Sequence, residues 1–158
     1  MALELDGEEA TTPPRPPPPP SVRPPPPPSN EQDAMRAWLR VQTDANAPDG
    51  AGPCQRSLHV AAVWRDRMLC FGGYDGSHRV NDCWEFDFGK RAWSTVRPSS
   101  GTPPSPRDRH VAVVWGGSFY VFAGFDGTSR VNDFHEFAVA ERAWSPVRAL
   151  SGLPPSPR

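Results

Sequence analysis

The residues of this chain that could do chemistry recur at a fixed spacing of 51 positions. His59 returns as His110, and an arginine, Arg56 or Arg107, stands three positions before each histidine. A metal site needs ligands that converge on one point from several elements. One recurring histidine in each copy does not provide such a set. We therefore predict a structural role for both histidines, with no metal ion and no other cofactor.

Acidic and hydroxyl side chains recur in the same way. The repeated acids are Asp82, Asp133, Glu85 and Glu136. Carboxylates that work as an acid–base pair are expected at one place, not once in every copy. The Asn-Asp pairs at 81–82 and 132–133 are predicted to bond the backbone of their own turns. Ser105 and Ser156 have no histidine partner at a plausible position, so we predict no nucleophile and no enzyme.

The same spacing organises most of the chain. Arg56 is followed by Arg107 and then by Arg158, and 28 of the 51 positions aligned between the two copies are identical. A repeat of roughly 40 to 50 residues that is built from short strands is typical of a propeller blade.

Each copy is predicted to contain four short strands, which we call a to d. In the first copy they lie at 59–64, at 68–73, around 85–86 and at 93–96; in the second they lie at 110–115, at 119–124, around 136–137 and at 144–147. Strand a is nearly continuous in apolar residues, which predicts burial on both faces. Gly116-Gly117 is a hairpin signal, and residues 65–67 form the matching turn. These patterns predict an all-β fold with two four-stranded antiparallel blades.

A short motif recurs at the end of strand b and on strands c and d. In the first copy it comprises Gly72, Gly73, Phe86 and Trp93, and in the second it comprises Gly124, Phe137 and Trp144. Ala123 replaces the first glycine of the second copy, which is acceptable if its φ stays negative. The tryptophan is predicted to cover the gap between adjacent blades.

These residues resemble the kelch-repeat family, and the repeats look closest to leucine-zipper-like transcriptional regulators and BTB-kelch proteins. The resemblance covers about 100 of 158 residues. It implies an incomplete kelch β-propeller. The family usually has tyrosine where this chain has Phe86 and Phe137, so the hydrogen bond of that hydroxyl is lost.

An additional strand is predicted before the first copy. Arg-Ala-Trp-x-x-Val occurs at Arg36, Arg91 and Arg142. Residues 36–41, which include Trp38, therefore form an orphan strand d, and the alternative is a short helix capped by Ser29. The predicted organisation is an acidic, Pro-rich disordered tail (1–35), the orphan strand (36–41), a linker (42–55) and two repeats (56–106 and 107–157).

Two blades cannot close a ring, because propellers use about four to eight. The sequence therefore favours a truncated fragment of a longer protein. The second interpretation is a short protein that completes its ring by oligomerisation.

Composition limits the classes of partner. The net charge is −1 and the basic residues are scattered, so nucleic-acid binding is not supported. The chain has no run of 18 apolar residues that could span a membrane. An odd number of cysteines, with Cys70 and Cys83 at core positions, indicates a reduced compartment, the cytoplasm or else the nucleus. The prolines at 13–28 could dock on a Pro-binding domain, and the alternative is a solvated tail.

Binding is predicted on the loops that join strand b to c and strand d to the next strand a, at 74–81, 97–109, 125–132 and 148–158. The candidate residues are Tyr74, Asp75, His78, Arg79, Phe125, Asp126, Ser129, Arg130, Arg107 and Arg109. Arginine in these loops suits an acidic peptide, and the alternative for Arg79 and Arg130 is an ion pair to Asp82 or Asp133.

The predicted function is a protein-interaction module. Resemblance implies that a complete version could be the substrate-recognition arm of a cullin-type ubiquitin ligase, or another scaffold. The alternative is part of a propeller-based enzyme whose active residues lie in other blades.

Overall fold

The computed structural model describes residues 40–44 and 52–158. Eight strands form two separate four-stranded antiparallel sheets, with orders β1-β2-β3-β4 and β5-β6-β7-β8. The first sheet comprises β1 (Val60–Trp64), β2 (Arg67–Tyr74), β3 (Arg79–Asp87) and β4 (Ala92–Thr95); the second comprises β5 (Val111–Trp115), β6 (Ser118–Phe125), β7 (Arg130–Ala138) and β8 (Ala143–Pro146). The described residues contain no helix, and so none that could cross a membrane. The predicted all-β fold with two blades is confirmed.

The strands begin and end close to their predicted positions because turn residues limit them. Gly116 and Gly117 both have positive φ, 60° and 91°, as the tight turn between β5 and β6 requires. Strand c is longer than predicted, since β3 begins at Arg79 and β7 at Arg130. The b–c loops therefore shrink to residues 75–78 and 126–129, and both arginines stand on strands.

Each blade has a β-bulge where β2 meets β3 and where β6 meets β7. The register shifts between Phe71 and Gly73 in the first blade, and between Phe122 and Gly124 in the second. Gly72 and Ala123 are the extra residues, with φ of 65° and 61°. The condition set for alanine at position 123, a negative φ, is not met, because a bulge of this kind needs the left-handed conformation whichever residue occupies it.

A hydrophobic core lies between the two blades. The first blade contributes Leu69, Phe71, Cys83 and Val96; the second contributes Phe119, Val121, Phe137, Val139 and Trp144. The Trp144 ring lies 5.4 Å from the Phe71 ring and 5.0 Å from the Phe137 ring. The predicted role of this tryptophan in covering the gap between blades is confirmed. Cys70 is also buried, as predicted.

The prediction that strand a is buried on both faces is wrong. Alternate residues of β1 and β5 are exposed. Trp64 packs against the core between the blades, whereas its counterpart Trp115 is 74% exposed. Each blade covers only the inward-facing flank of the other blade. Residues of strand a that point to this flank are therefore half-buried, and the residues between them, which point to the outward flank, are exposed.

Several predictions fall on other parts of the chain. The tail (1–35), its prolines at 13–28, Trp38 and part of the linker lie outside the described residues. Of the orphan strand, only Arg40 and Val41 are described, and both are exposed and outside any strand. The Asp44 N–H donates to the Arg91 carbonyl at 3.0 Å, so this segment reaches the start of the first strand d.

Candidate functional site

The loops predicted to bind a partner meet at one end of the blades. Ser57 pairs with Tyr74 and Asp108 pairs with Phe125, in short antiparallel bridges. These bridges bring the end of each d–a linker beside the end of strand b, where the b–c loop begins. The two kinds of loop therefore share one face, and the a–b and c–d turns lie at the opposite end.

Two recurring aspartates shape the b–c loops. Asp75 accepts hydrogen bonds from the N–H groups of Ser77 and His78, and Asp126 does the same for Thr128 and Ser129, all at 2.7 to 2.8 Å. These hydrogen bonds lower the pKa of both carboxyl groups. The largest contribution comes from the N–H group of His78 for Asp75 and from that of Ser129 for Asp126. Both aspartates therefore act on their own turns.

A buried arginine joins the two blades. Arg107 has no exposed surface. Its backbone lies on the first blade, where its N–H donates to the Val80 carbonyl and its carbonyl accepts from Gly73. Its guanidinium enters the second blade and donates to both carboxylate oxygens of Asp133, at 2.6 and 2.8 Å, and to the Ala123 carbonyl. We call this contact the Arg107 clasp and leave Arg107 out of the binding surface.

The clasp has a counterpart in the first blade. Arg56 donates to both oxygens of Asp82, at 2.6 and 2.9 Å. Burial, the largest single effect, would raise the pKa of Asp82 and of Asp133. The hydrogen bonds from their arginines and from Trp84 or His135, together with the attraction of the arginine charge, outweigh it and lower both pKa values. The prediction that these aspartates bond the backbone of their own turns is therefore wrong. The alternative, ion pairs with Arg79 and Arg130, is wrong as well. The separation of 26 residues in both copies is the signal that could have revealed this pair.

The asparagines beside these aspartates also contact the linkers. The Asn81 side chain donates to the Pro104 carbonyl, and that of Asn132 to the Pro155 carbonyl, both at 2.9 Å. The prediction that they bond their own turns is wrong, because the following linker folds back over strand c.

Arg79 lies between the blades at the loop face. Its Nε is 3.1 Å from an Asp108 carboxylate oxygen, and Asp108 is almost completely buried. The Arg79 guanidinium also lies over the Phe125 ring, 4.6 Å from its centre, and 5.7 Å from the centre of the Tyr74 ring. Arg79 thus connects β3 of the first blade to the linker and β6 of the second.

Arg130 differs from Arg79 although the two occupy equivalent positions. It is exposed, and it makes no ion pair with any residue that the structure describes. Ser57 stands where the second copy has Asp108, so the acidic partner itself does not recur. The guanidinium of Arg130 remains available to a ligand.

A depression of about 420 Å³ opens beside Arg130. Its walls are Arg109, Phe125, Thr128, Ser129 and Arg130. Arg109 is 60% exposed at its side chain and contacts an Asp108 oxygen at 3.0 Å. The depression thus combines an aromatic ring, two hydroxyl groups and two accessible guanidinium groups. It brings together four predicted residues of the second blade and adds Thr128, whereas Tyr74, Asp75 and His78 stay on the first blade.

The two recurring histidines are not equivalent in the structure. His59 is exposed, whereas His110 is buried against the first blade, 5.5 Å from the Phe71 ring. Burial lowers the pKa of His110 to about 4. Among the described residues, no group of three or more His, Cys, Asp or Glu side chains could hold a metal ion.

Repeated four-stranded blades with a loop surface at one end define a β-propeller repeat protein. Residues 34–158 match the family model described as the KLHDC2/KLHL20/DRC7 Kelch-repeats domain. The chain belongs to the kelch-repeat family, whose repeats generally mediate protein–protein interaction.

Curated relatives agree with this assignment. The chain is 34% identical over 116 residues to leucine-zipper-like transcriptional regulator 1 of Homo sapiens, covering 70% of this chain and 14% of the relative. It is 32% identical to Kelch domain-containing protein 1 of Mus musculus, covering 70% and 32%. It is 34% identical to N-(sulfonatooxy)prop-2-enimidothioate sulfolyase of Thlaspi arvense, covering 68% and 30%. The chain thus spans between a seventh and a third of the length of these relatives.

Proposed function

We propose that this chain is a non-enzymatic protein-interaction module that binds an acidic peptide segment in the depression beside Arg130. The observation that carries the proposal is the pair of accessible guanidinium groups, Arg109 and Arg130, that line the depression together with Phe125. Kelch repeats generally bind proteins, and this depression lies at the loop end of the second blade.

The side chains in the depression suit a carboxylate. Arginine presents a planar fork of N–H donors that can hold both oxygens of a carboxylate at once. The hydroxyl groups of Thr128 and Ser129 can donate further hydrogen bonds, and the Phe125 ring can contact the aliphatic part of a Glu or Asp side chain. Asp108 occupies one nitrogen of Arg109, at 3.0 Å, and is buried against Arg79, so the remaining N–H donors of Arg109 and all those of Arg130 can face a ligand carboxylate.

The test uses a fluorescein-labelled peptide rich in Asp and Glu and measures binding by fluorescence anisotropy. Arg130→Ala should weaken binding about tenfold, since a hydrogen bond to a charged group contributes about 1.5–3 kcal/mol. Arg65→Ala is the control, because Arg65 is exposed on the a–b turn at the opposite end and its removal changes the net charge equally. Equal weakening by both variants would show that only overall charge matters and would contradict the site.

A second candidate function follows from the sulfolyase of Thlaspi arvense among the relatives. The chain could be part of a propeller enzyme that acts on a related sulfonated thioimidate. Incubation of the purified chain with N-(sulfonatooxy)prop-2-enimidothioate distinguishes the two. Release of product in proportion to protein concentration would favour the enzyme, and we expect none.

The role of substrate-recognition arm in a cullin-type ubiquitin ligase stays a prediction. Co-purification of a cullin with a longer form of the protein would support it. A longer form that binds the acidic peptide without any cullin would favour a plain scaffold.

A further inference from the structure

A polar cavity of about 310 Å³ lies between the two blades, at the end opposite the loop face. The first blade lines it with the a–b turn and the strands beside it, and the second blade lines it with the c–d turn. Both walls belong to the described residues, so the cavity is formed without any further blade. We call it the turn cavity. Its walls include Trp64, Arg65, Arg67, Glu85, Val139 and Arg142.

Two arginines, one from each blade, are held in the turn cavity by the same carboxylate. Glu85 is buried and accepts from Arg67 at 3.1 Å and from Arg142 at 3.4 Å. Each arginine side chain is nevertheless 36% exposed. A guanidinium group has five N–H donors. Glu85 therefore fixes the positions of both groups and leaves further donors of each for a ligand.

A third guanidinium group lies on the wall of the same cavity. Arg65 is exposed, and its guanidinium stacks over the Trp64 ring, 4.7 Å from the ring centre. Arg65 makes no ion pair with any of the described residues. With Asp66 included, three guanidinium groups and two carboxylates line the cavity, which leaves it a net positive charge.

The fold does not need these arginines to form the turn. The second blade makes the same turn with Gly116, Gly117 and Ser118. Arg65 has a φ of 54°, close to the 60° of Gly116, and this left-handed conformation is unfavourable for any residue with a Cβ. An unfavourable backbone conformation at a residue that lines a cavity points to a role other than folding.

We propose that the turn cavity binds a tetrahedral oxyanion carried on an organic group, that is, a phosphate or sulfate monoester. Such a group has three terminal oxygens, and each of the three guanidinium groups can donate to one of them. A carboxylate has only two oxygens and would use the site less fully. The Trp64 ring and Val139 provide an apolar wall for the organic part of the ester.

The experiment is ¹⁹F NMR of the full chain labelled with 5-fluorotryptophan, in which Trp64→Phe assigns the Trp64 resonance among the six tryptophans. The probes are phenyl phosphate, phenyl sulfate and benzoate, which share one ring and differ in the anion. The Trp64 resonance should shift saturably with at least one ester and respond to benzoate at least about tenfold more weakly. The ester that binds more tightly identifies the ligand as phosphorylated or sulfated. The Trp115 resonance is the internal control, because its turn contains no arginine, and it should not move.

An exchange of turns tests the arginines directly. Arg65→Gly, Asp66→Gly and Arg67→Ser together give the first blade the turn of the second blade and change the net charge by −1. This triple variant should weaken binding of the ester at least about tenfold. Arg130→Gln is the matched control, because it changes the net charge equally at the opposite end, and it should leave the affinity unchanged.

Circular dichroism checks that the exchanged turn folds. If it does not fold, Arg65→Gly alone keeps the test valid, because it removes one guanidinium together with the unfavourable φ, and it should still weaken binding several-fold. The proposal would be overturned if neither ester shifted the Trp64 resonance at concentrations up to about 20 mM. Equal binding of benzoate, or an unchanged affinity in both arginine variants, would overturn it as well.

Discussion

The exchange of Gly72 for alanine tests whether contact between the blades explains the difference between the two bulges. Gly72 and Ala123 have nearly the same φ, 65° and 61°. A Cβ added at Gly72 would lie 2.8 Å from His110 Cε1 and 3.0 Å from the Arg107 carbonyl oxygen. No histidine stands at the corresponding place beside Ala123 in the described residues.

The contributions of this exchange to the free energy of unfolding that do not depend on His110 nearly cancel. An alanine in the left-handed region costs about 1–2 kcal/mol. Against this, its methyl group gains about 0.8 kcal/mol on burial. Alanine also lowers the entropy of the unfolded chain, which contributes about 0.4–1 kcal/mol. Ala123→Gly should therefore change the free energy of unfolding by less than about 1 kcal/mol.

Gly72→Ala carries the same local terms and adds the contact with His110. Overpacking of this kind costs about 1–3 kcal/mol. Urea unfolding followed by tryptophan fluorescence measures both variants, and His110→Ala in the Gly72→Ala background completes a double-mutant cycle. The cycle should return a coupling of at least about 1 kcal/mol, because a smaller side chain at 110 makes room for the methyl group. Equal small effects at positions 72 and 123, with no coupling to His110, would refute the reasoning.

Three further predictions follow. The contribution of His110 to the free energy of unfolding should fall by about 3 kcal/mol as the pH drops from 7 to 4. The pKa of His110 is about 4 in the folded chain and near 6.5 when unfolded, so the unfolded state takes up a proton over most of that window before the folded state does. Urea titrations at each pH measure this contribution as the difference from a His110→Gln variant, and an unchanged pH profile in that variant would contradict it. Asp133→Ala should destabilise the chain by about 3 kcal/mol, because it leaves the buried Arg107 without a carboxylate. If the free energy of unfolding fell no further than it does for exposed Arg65→Ala in the same denaturation assay, the Arg107 clasp would not stabilise the fold. Iodoacetamide should label Cys54 in the native chain and Cys83 only after unfolding, since burial raises the pKa of the Cys83 thiol. Mass spectrometry of the digested peptides measures the labelling of each cysteine. Rapid labelling of Cys83 in the native chain would contradict its burial.

The sequence by itself determined the blade. Identical residues every 51 positions required two copies of one local structure, and apolar runs separated by Gly-Gly or charged turns placed all eight strands. Phe86 and Trp93, predicted as a motif, face each other across β3 and β4 with ring centres 5.1 Å apart. Such contacts lie within one blade, so alternation and turn chemistry are enough to predict them.

Only the tertiary structure decided what each repeated residue does. Arg79 and Arg130 are the same residue at the same register, yet one is held by Asp108 and the other is free to bind. Trp64 and Trp115 likewise differ only in whether a second blade covers them. The physical reason is that the repeat specifies each blade from within, whereas the charge, burial and exposure of its flanks depend on the neighbour packed against them.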